Sequence, residues 1–373
     1  MQASRRLVTW ADVWPNALTK LLGIEHPVVL APLAGGPGTP ELAATVCDAG
    51  ALGSLGGGYL AAEELRSEIR KLRALTSRPF LVNLFAHAGP PPQKSTAEEI
   101  ALARTFVAPF RAEVGLAGDP ALSPPPSFSD QLAVVLEESV PVFSVTSGSL
   151  AREDVRALQQ RGVVVIGTAT TPDEARSLVD AGMKAVVVQS SEAGGHRATF
   201  ASSPEKALLG MMALLPRVAD RVSVPLIAAG GIMDGRGIAA ALALGAQGVQ
   251  LGTAFLACPE SGASPAYKSA LLRARGGGDP TVLTRAFSGR LARALSNRFS
   301  EAAEGAQILP YPQQNALTSE LRRAAAKAGN ADLLSLWAGQ AVALARPHSA
   351  RDLVRELVSE TRAVIERLHR PSP

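Results

Sequence analysis

Cysteine is scarce in this chain: Cys47 and Cys258 are the only two in 373 residues. Far apart in sequence and set among apolar or small residues, they supply neither a disulfide framework nor a zinc site. Aromatic residues make up 4%, too few for a surface that stacks nucleic-acid bases. No apolar run reaches the roughly 18 residues that a membrane-spanning helix needs. The opening MQASRRLVTW lacks the apolar core and small-residue cleavage site of a secretory signal. These absences predict a cytoplasmic protein with no membrane and no nucleic-acid partner. The net charge of +4 leaves that expectation in place, because 37 basic residues face 33 acidic ones. The two signs interleave along helical stretches such as AAEELRSEIRKLRAL, the pattern of a solvated face.

What the chain has in quantity is short apolar runs. Hydrophobic residues make up 47%, enough for a sizeable core. Eight candidate strands fall at residues 27–32, 51–56, 79–85, 141–147, 163–169, 185–190, 225–231 and 248–254. They are apolar throughout, as in AVVVQS, which is the signature of parallel strands covered on both faces. Helical segments alternate with them. One begins at Thr171 as N-cap with Pro172 in the first turn and ends before Gly182, a recognisable start and stop. Eight such units predict an α/β fold, a closed (β/α)₈ TIM barrel. An open doubly wound sheet would place its glycines after the first strand; here they concentrate after strands six, seven and eight.

Two stretches break the repeat. Residues 87–127 form a long insertion after strand three, with a helical middle between proline clusters. After strand eight, a helical and turn-rich region replaces the next unit. The expected division is therefore a barrel over 1–262 plus 347–373 and a smaller, mainly helical domain over 263–346 that covers the active site. The last helix, beginning SARDLVREL, has amphipathic spacing and should complete the barrel's outer ring.

Chemistry is expected at the carboxyl ends of the strands, with a phosphate on the loops after strands seven and eight. Gly230 and Gly231 end strand seven; Gly252 and Thr253 end strand eight. Glycine backbones approach a ligand closely and present N–H groups to an anion. Glycine pairs also make plain tight turns, but their coincidence in both loops favours a phosphate-bearing cofactor. Asn83 and Gln189 place amides at the ends of strands three and six, where each could bind a flat heterocycle or simply be satisfied by backbone. His196 then follows on SSEAGGHRATF, a stretch whose glycines read as flexible. It has no companion at metal-ligand spacing, since His26 and His87 are distant, so no metal site is expected. An acid/base or hydrogen-bonding role on an organic substrate remains.

The stretches PVVLAPLAGGPGTPELAATVCDAGALGSLGGGYL, SEAGGHRATF, IAAGGI, GVQLGTAF and YPQQNALTSELRRAAAKAG with SLWAGQ resemble the nitronate monooxygenases, formerly 2-nitropropane dioxygenases, of the bacterial class I branch. The resemblance covers nearly the whole chain. It implies FMN as cofactor, without metal, and oxidation of alkyl nitronates such as propionate 3-nitronate by O2. It also implies FMN-binding roles for Asn83, Gln189, Gly194, Gly231, Gln250, Leu251, Gly252 and Thr253, and a catalytic role for His196. Two positions depart from the family pattern: Leu33 stands where methionine is usual, and Ala198 where glycine is usual. Leu33 should keep the apolar volume near the flavin, and Ala198 is expected to restrict the backbone and narrow the pocket. A second enzyme reading is an NAD(P)H-dependent flavin reductase of the same barrel, acting on a quinone or an enoyl-acyl-carrier-protein. A third is a flavin- or phosphate-binding protein without turnover. The oligomeric state, homo-oligomer included, is not legible.

Overall fold

The computed structural model describes residues 14–86, 95–274 and 280–369. The N-terminal stretch MQASRRLVTW, His87 and the first part of the insertion after strand three lie outside them. Proline stands immediately before four of the apolar runs, at Pro27, Pro79, Pro141 and Pro225. Lacking an N–H, proline can only accept in the ladder, as Pro27 O does from Val249 N at 2.9 Å, so it suits the position just before a strand. The barrel strands are β1 (Val28–Leu30), β2 (Gly53–Gly56), β3 (Phe80–Phe85), β4 (Val142–Thr146), β5 (Val164–Ala169), β6 (Ala185–Gln189), β8 (Leu226–Ala229) and β9 (Gly248–Leu251). A second sheet consists of β7 (Gly195–His196), β10 (Thr281–Thr284) and β11 (Ala292–Leu295), in the order β10-β11-β7. All eight expected strands are present. Those at 225–231 and 248–254 are shorter than expected, because Gly230 and Gly231 adopt positive φ and a helix begins at Thr253.

The eight parallel strands run in the order β1-β9-β8-β6-β5-β4-β3-β2. A bridge between Val29 and Leu52 joins the two ends, with Leu30 N donating to Leu52 O and Leu52 N to Val28 O, both at 2.9 Å. The sheet is thus a (β/α)₈ barrel. Side chains alternate between its faces with the period of two that a strand imposes. Val28, Leu30, Val82, Phe143, Val165, Val186 and Val188 face outward into the layer shared with the helices. Val29, Leu52, Leu81, Val142, Ile166, Val187 and Ile227 face inward. Leu18 and Leu22, on the helix Ala17–Leu22, join that inward cluster and close the amino-terminal mouth.

The helix Ala350–His369 completes the outer ring as expected. Its backbone lies so close to Gly235 that a Cβ there would sit 2.3 Å from Thr361 N, and Glu360 Oε2 accepts from Gly235 N at 2.9 Å. Between β9 and this helix lies a smaller lobe with its own core, built on Tyr267, Leu271, Phe287, Leu295, Phe299, Leu317, Leu321 and Leu336. The lobe is mainly helical, but it also holds β10 and β11. The helix Ala97–Glu113 of the insertion after β3 packs into the same core through Ala103 and Val107, with Phe106 and Phe110 against Phe299. Among the described residues no helix is long and apolar enough to cross a membrane.

Candidate active site

Following the inward-facing positions along each strand shows how the site arises. At the amino end they are aliphatic; one or two steps later they become polar. Leu81 is followed by Asn83, Val142 by Ser144 and Thr146, Ile166 by Thr168, Val187 by Gln189 and Gly248 by Gln250. The register places these side by side, Asn83 opposite Ser144, Gln189 opposite Ala229 and Ala229 opposite Gln250. The last layer of the barrel is therefore a polar floor. A cavity opens above it, lined by all nine residues singled out from the sequence: Asn83, Gln189, Gly194, His196, Gly231, Gln250, Leu251, Gly252 and Thr253. Thr146 and Thr168 also line it and were missed. Alternation within their strands was the signal available.

The amides are oriented by their neighbours. Asn83 is 2% exposed, and its Nδ2 donates to Ser144 O at 3.2 Å, Ser144 Oγ at 2.8 Å and Thr146 Oγ1 at 3.0 Å. A backbone carbonyl only accepts, so the nitrogen faces β4 and the Oδ1 is left for the cavity. Gln189 does not present a free amide. Its Nε2 donates to His196 O at 3.1 Å and its Oε1 accepts from Ala198 N at 2.9 Å. The end of β6 is thereby stapled to the loop that carries the histidine.

That loop is not the flexible stretch its glycines suggest. Gly195 and His196 form β7, paired antiparallel with Arg293 and Ala292 of β11. Arg197, fully buried, donates from Nη1 to Ser190 O and from Nη2 to Gln189 O at 3.2 Å and Ala207 O at 3.1 Å. Burial pushes its pKa down to about 10, which leaves it charged at neutral pH. Arg290 donates from Nε to Arg197 O at 3.1 Å and from Nη2 to Thr199 O at 2.6 Å. Glu174, also buried, accepts at Oε1 from Phe200 N at 2.6 Å and Ala201 N at 2.9 Å, and at Oε2 from Thr170 N and Thr170 Oγ1 at 2.7 Å. Apart from the Nε of Arg197, which is buried without a partner, these buried groups thus replace the water they lost. Ala198 is fully buried and forms no part of the cavity wall, so the expected narrowing by its methyl group is not found; Leu33 does line the cavity.

The His196 Nε2 lies 2.8 Å from Ser288 Oγ. Ser288 is 1% exposed; its hydroxyl reaches Arg290 O at 3.2 Å and accepts from Arg290 N at 3.3 Å. The imidazole also stands 5.1 Å from the Trp337 ring, tilted by 56°, and Trp337 in turn meets Phe287 edge-on at 5.7 Å. The histidine is therefore held from the barrel side by Gln189 and from the lobe side by Ser288 and Trp337.

The glycines that line the cavity form a close cradle. A Cβ at Gly194 would come within 2.6 Å of Ala338 C and Gly339 N, and one at Gly230 within 2.5 Å of Ser190 Oγ. Gly230 and Gly231 have φ of 115° and 71°, which L side chains rarely adopt. Thr253 Oγ1 accepts from Gly339 N at 3.0 Å. At Gly194, Gly230 and Gly231 the missing Cβ makes room for the neighbouring chain, so close packing requires glycine there.

Residues 15–360 match the family model described as Nitronate monooxygenase. The chain is 40% identical over 356 residues to a probable nitronate monooxygenase of Staphylococcus haemolyticus (strain JCSC1435), covering 94% of this chain and 98% of that protein. The match to its counterpart in Staphylococcus aureus (strain MSSA476) is again 40%, over 357 residues. Among solved structures, the nitroalkane oxidase from Streptomyces ansochromogenes superposes with a TM-score of 0.87 at 42% identity, covering 95% of this chain and 100% of that one. FabK from Thermotoga maritima gives 0.71 at 30% identity, covering 95% and 98%. These matches run through the barrel, the lobe and the His196 loop together, and the chain belongs to the nitronate monooxygenase family.

Proposed function

We propose that this enzyme oxidises alkyl nitronates of the propionate 3-nitronate type by molecular oxygen with FMN as cofactor, and that His196 acts on the substrate. The observation that carries the reading is the single cavity in which a glycine cradle, a floor of amides and an immobilised histidine meet. The cradle fits a flavin phosphate, held by backbone N–H groups of Gly231 and Gly252 and by Thr253. Asn83 Oδ1 and the Gln250 amide suit the polar edge of a flat ring. Gly194 and Leu251 supply backbone wall, and Gln189 both lines the cavity and fixes the histidine loop. When bound, the flavin supplies the redox step, accepting an electron from the substrate and passing reducing equivalents to oxygen.

The protein's own part is to bind, orient and exclude water. A nitronate is an anion, and a protonated His196 would hold it by a charge-assisted hydrogen bond. With a neutral nitroalkane, neutral His196 would instead take the α-proton. Trp337 limits where the substrate's head can lie. In this reading residues 263–346 form the smaller domain that covers the site, and 1–262 with 347–373 the barrel.

The test is anaerobic. Propionate 3-nitronate should bleach the bound flavin, whereas NADH or NADPH should leave the oxidised spectrum unchanged over minutes. Rapid bleaching by either nicotinamide, with no response to nitronates, would overturn the reading in favour of a reductase. Mass spectrometry of the flavin released by acid should give FMN, about one equivalent per chain by the single-cradle argument.

A further inference from the structure

Residues 336–341 form a strap that crosses from the lobe to the barrel and is held at both ends. On the lobe side Leu336 O accepts from Leu295 N at 2.8 Å and Ala338 N donates to Arg293 O at 3.3 Å, while Trp337 bridges Ala294 of β11. The buried Tyr267 donates its hydroxyl to Trp337 O at 2.6 Å. On the barrel side Gly339 N donates to Thr253 Oγ1 at 3.0 Å and Gln340 N to Glu192 O, also at 3.0 Å. The approach is close. A Cβ at Gly339 would lie 2.8 Å from Glu192 O and 3.2 Å from Gly194 N, so a side chain there would push the strap away.

The strap also faces the ligand space, because Trp337, Gly339 and Ala341 line the inner cavity beside Gly194 and Thr253. Thr253 is the informative contact. A hydroxyl has one proton to give and two lone pairs to offer. One lone pair takes the Gly339 N–H, and among the described residues the proton reaches no acceptor. An anion in the cavity therefore meets a donor whose oxygen is already polarised by an N–H of the lobe. A strap that served only as a brace could end on backbone carbonyls alone, as its Gln340 bond does. Instead one of its bonds ends on a hydroxyl that lines the cavity.

We propose that this strap is a wall of the cofactor site contributed by the lobe, and that the relay from Gly339 N–H through Thr253 O–H to the cofactor's phosphate couples cofactor retention to docking of the lobe on the barrel. The inference rests on the reading of the glycine cradle as a flavin phosphate site. Such coupling is reciprocal. An anion that draws the Thr253 proton makes its oxygen a better acceptor for Gly339, and lifting the strap weakens the donor that the anion uses.

The experiment follows flavin release from the holoenzyme, read as the rise in flavin fluorescence after dilution, and needs no turnover. Gly339→Ala should speed the loss of FMN about tenfold or more, the scale of a weakened charge-assisted hydrogen bond. Riboflavin, which lacks the phosphate, should be released with a much smaller difference between the two proteins. Thr253→Val should also speed FMN loss, and adding Gly339→Ala to it should change little further, because the coupling runs through the hydroxyl. Tyr267→Phe, which loosens the lobe end of the strap, should act in the same direction to a lesser degree. A second readout needs no variant: hydrogen exchange in the peptide containing Gly339 and Gln340 should quicken when flavin is removed, and be slowed again by FMN but much less by riboflavin. Bound FMN with strap exchange indifferent to it, or fully additive effects of Gly339→Ala and Thr253→Val, would overturn the coupling and leave the flavin reading standing. Protein that neither carries nor takes up flavin would overturn both. Inertness toward nitronates with the coupling intact would remove the proposed reaction and leave the strap's role in place.

Discussion

Ser288 Oγ stands 2.8 Å from His196 Nε2, which ties the barrel's candidate catalytic group to a turn of the lobe. That turn is itself fixed, with Thr318 Oγ1 donating to Phe287 O at 2.5 Å and Gln314 Nε2 to Ala286 O at 2.7 Å. Ser288→Ala should leave flavin content intact and lower kcat about tenfold, the scale of a misaligned acid/base group. Ser288→Thr should retain most of the rate. Steady-state kinetics beside a flavin-to-protein ratio decides; full activity in the alanine variant would remove Ser288 from the site's machinery.

His196→Asn removes the ring itself while a polar group remains. Turnover of propionate 3-nitronate should fall by about 10²- to 10⁴-fold, with the flavin retained because the ring is assigned to substrate. Unchanged turnover would make this residue a bystander.

Gly231→Ala probes the cradle. Its φ of 71° disfavours alanine by about 1–2 kcal/mol, and the new Cβ would lie 2.9 Å from Glu192 Oε2. The purified variant should hold less flavin than the wild type at equal protein concentration. Undiminished flavin absorbance would mean that the phosphate sits elsewhere.

Glu174→Ala strips four hydrogen bonds from one buried carboxylate. Each buried donor left without a partner costs about 1–3 kcal/mol, so stability should drop by roughly 3 kcal/mol or more. Urea unfolding measures it. A change under about 1 kcal/mol would show that water or relaxation replaces those bonds.

Alkaline pH should destabilise the fold. Burial raises the thiols of Cys47 and Cys258 from 9.0 to about 12, and it raises the phenols of Tyr59, Tyr267 and Tyr311. The unfolded chain releases these protons first, so the stabilisation is complete below about pH 9 and falls as pH rises toward 12. Urea midpoints measured from about pH 8 to 10.5 should therefore decline. The same burial predicts that neither thiol reacts with iodoacetamide at about pH 8 until the chain is unfolded.

The barrel was legible because its strands are apolar on both faces and bounded by proline or glycine. That same uniformity hid which residues face inward: in the pattern Leu81, Asn83, Phe85 only the polar Asn83 discloses the face. The second sheet was not legible. TVLT and ARAL are four residues each, the latter with helical composition, and β7 has only two residues and no local signal at all. Among the site residues, Asn83 and Gln189 stood out as amides at strand ends, and His196 as a histidine on the glycine-rich loop that follows one of them. Ser288 and Arg290 did not, because the groups they reach on the His196 loop lie about ninety residues away; Arg197 did not, because an arginine beside a histidine in a glycine-rich stretch reads as solvated.

The lobe enters the chain between the barrel's eighth strand and its last helix, and this order governs assembly. When β9 leaves the ribosome, every barrel strand has been made, yet the part of the outer core that Leu353, Val354 and Leu357 complete stays bare until about a hundred further residues follow. The nascent barrel must wait for its last stave with an apolar seam open to water. A chain stalled within the lobe would display that seam, and it is there that a chaperone or an aggregation partner would first find purchase.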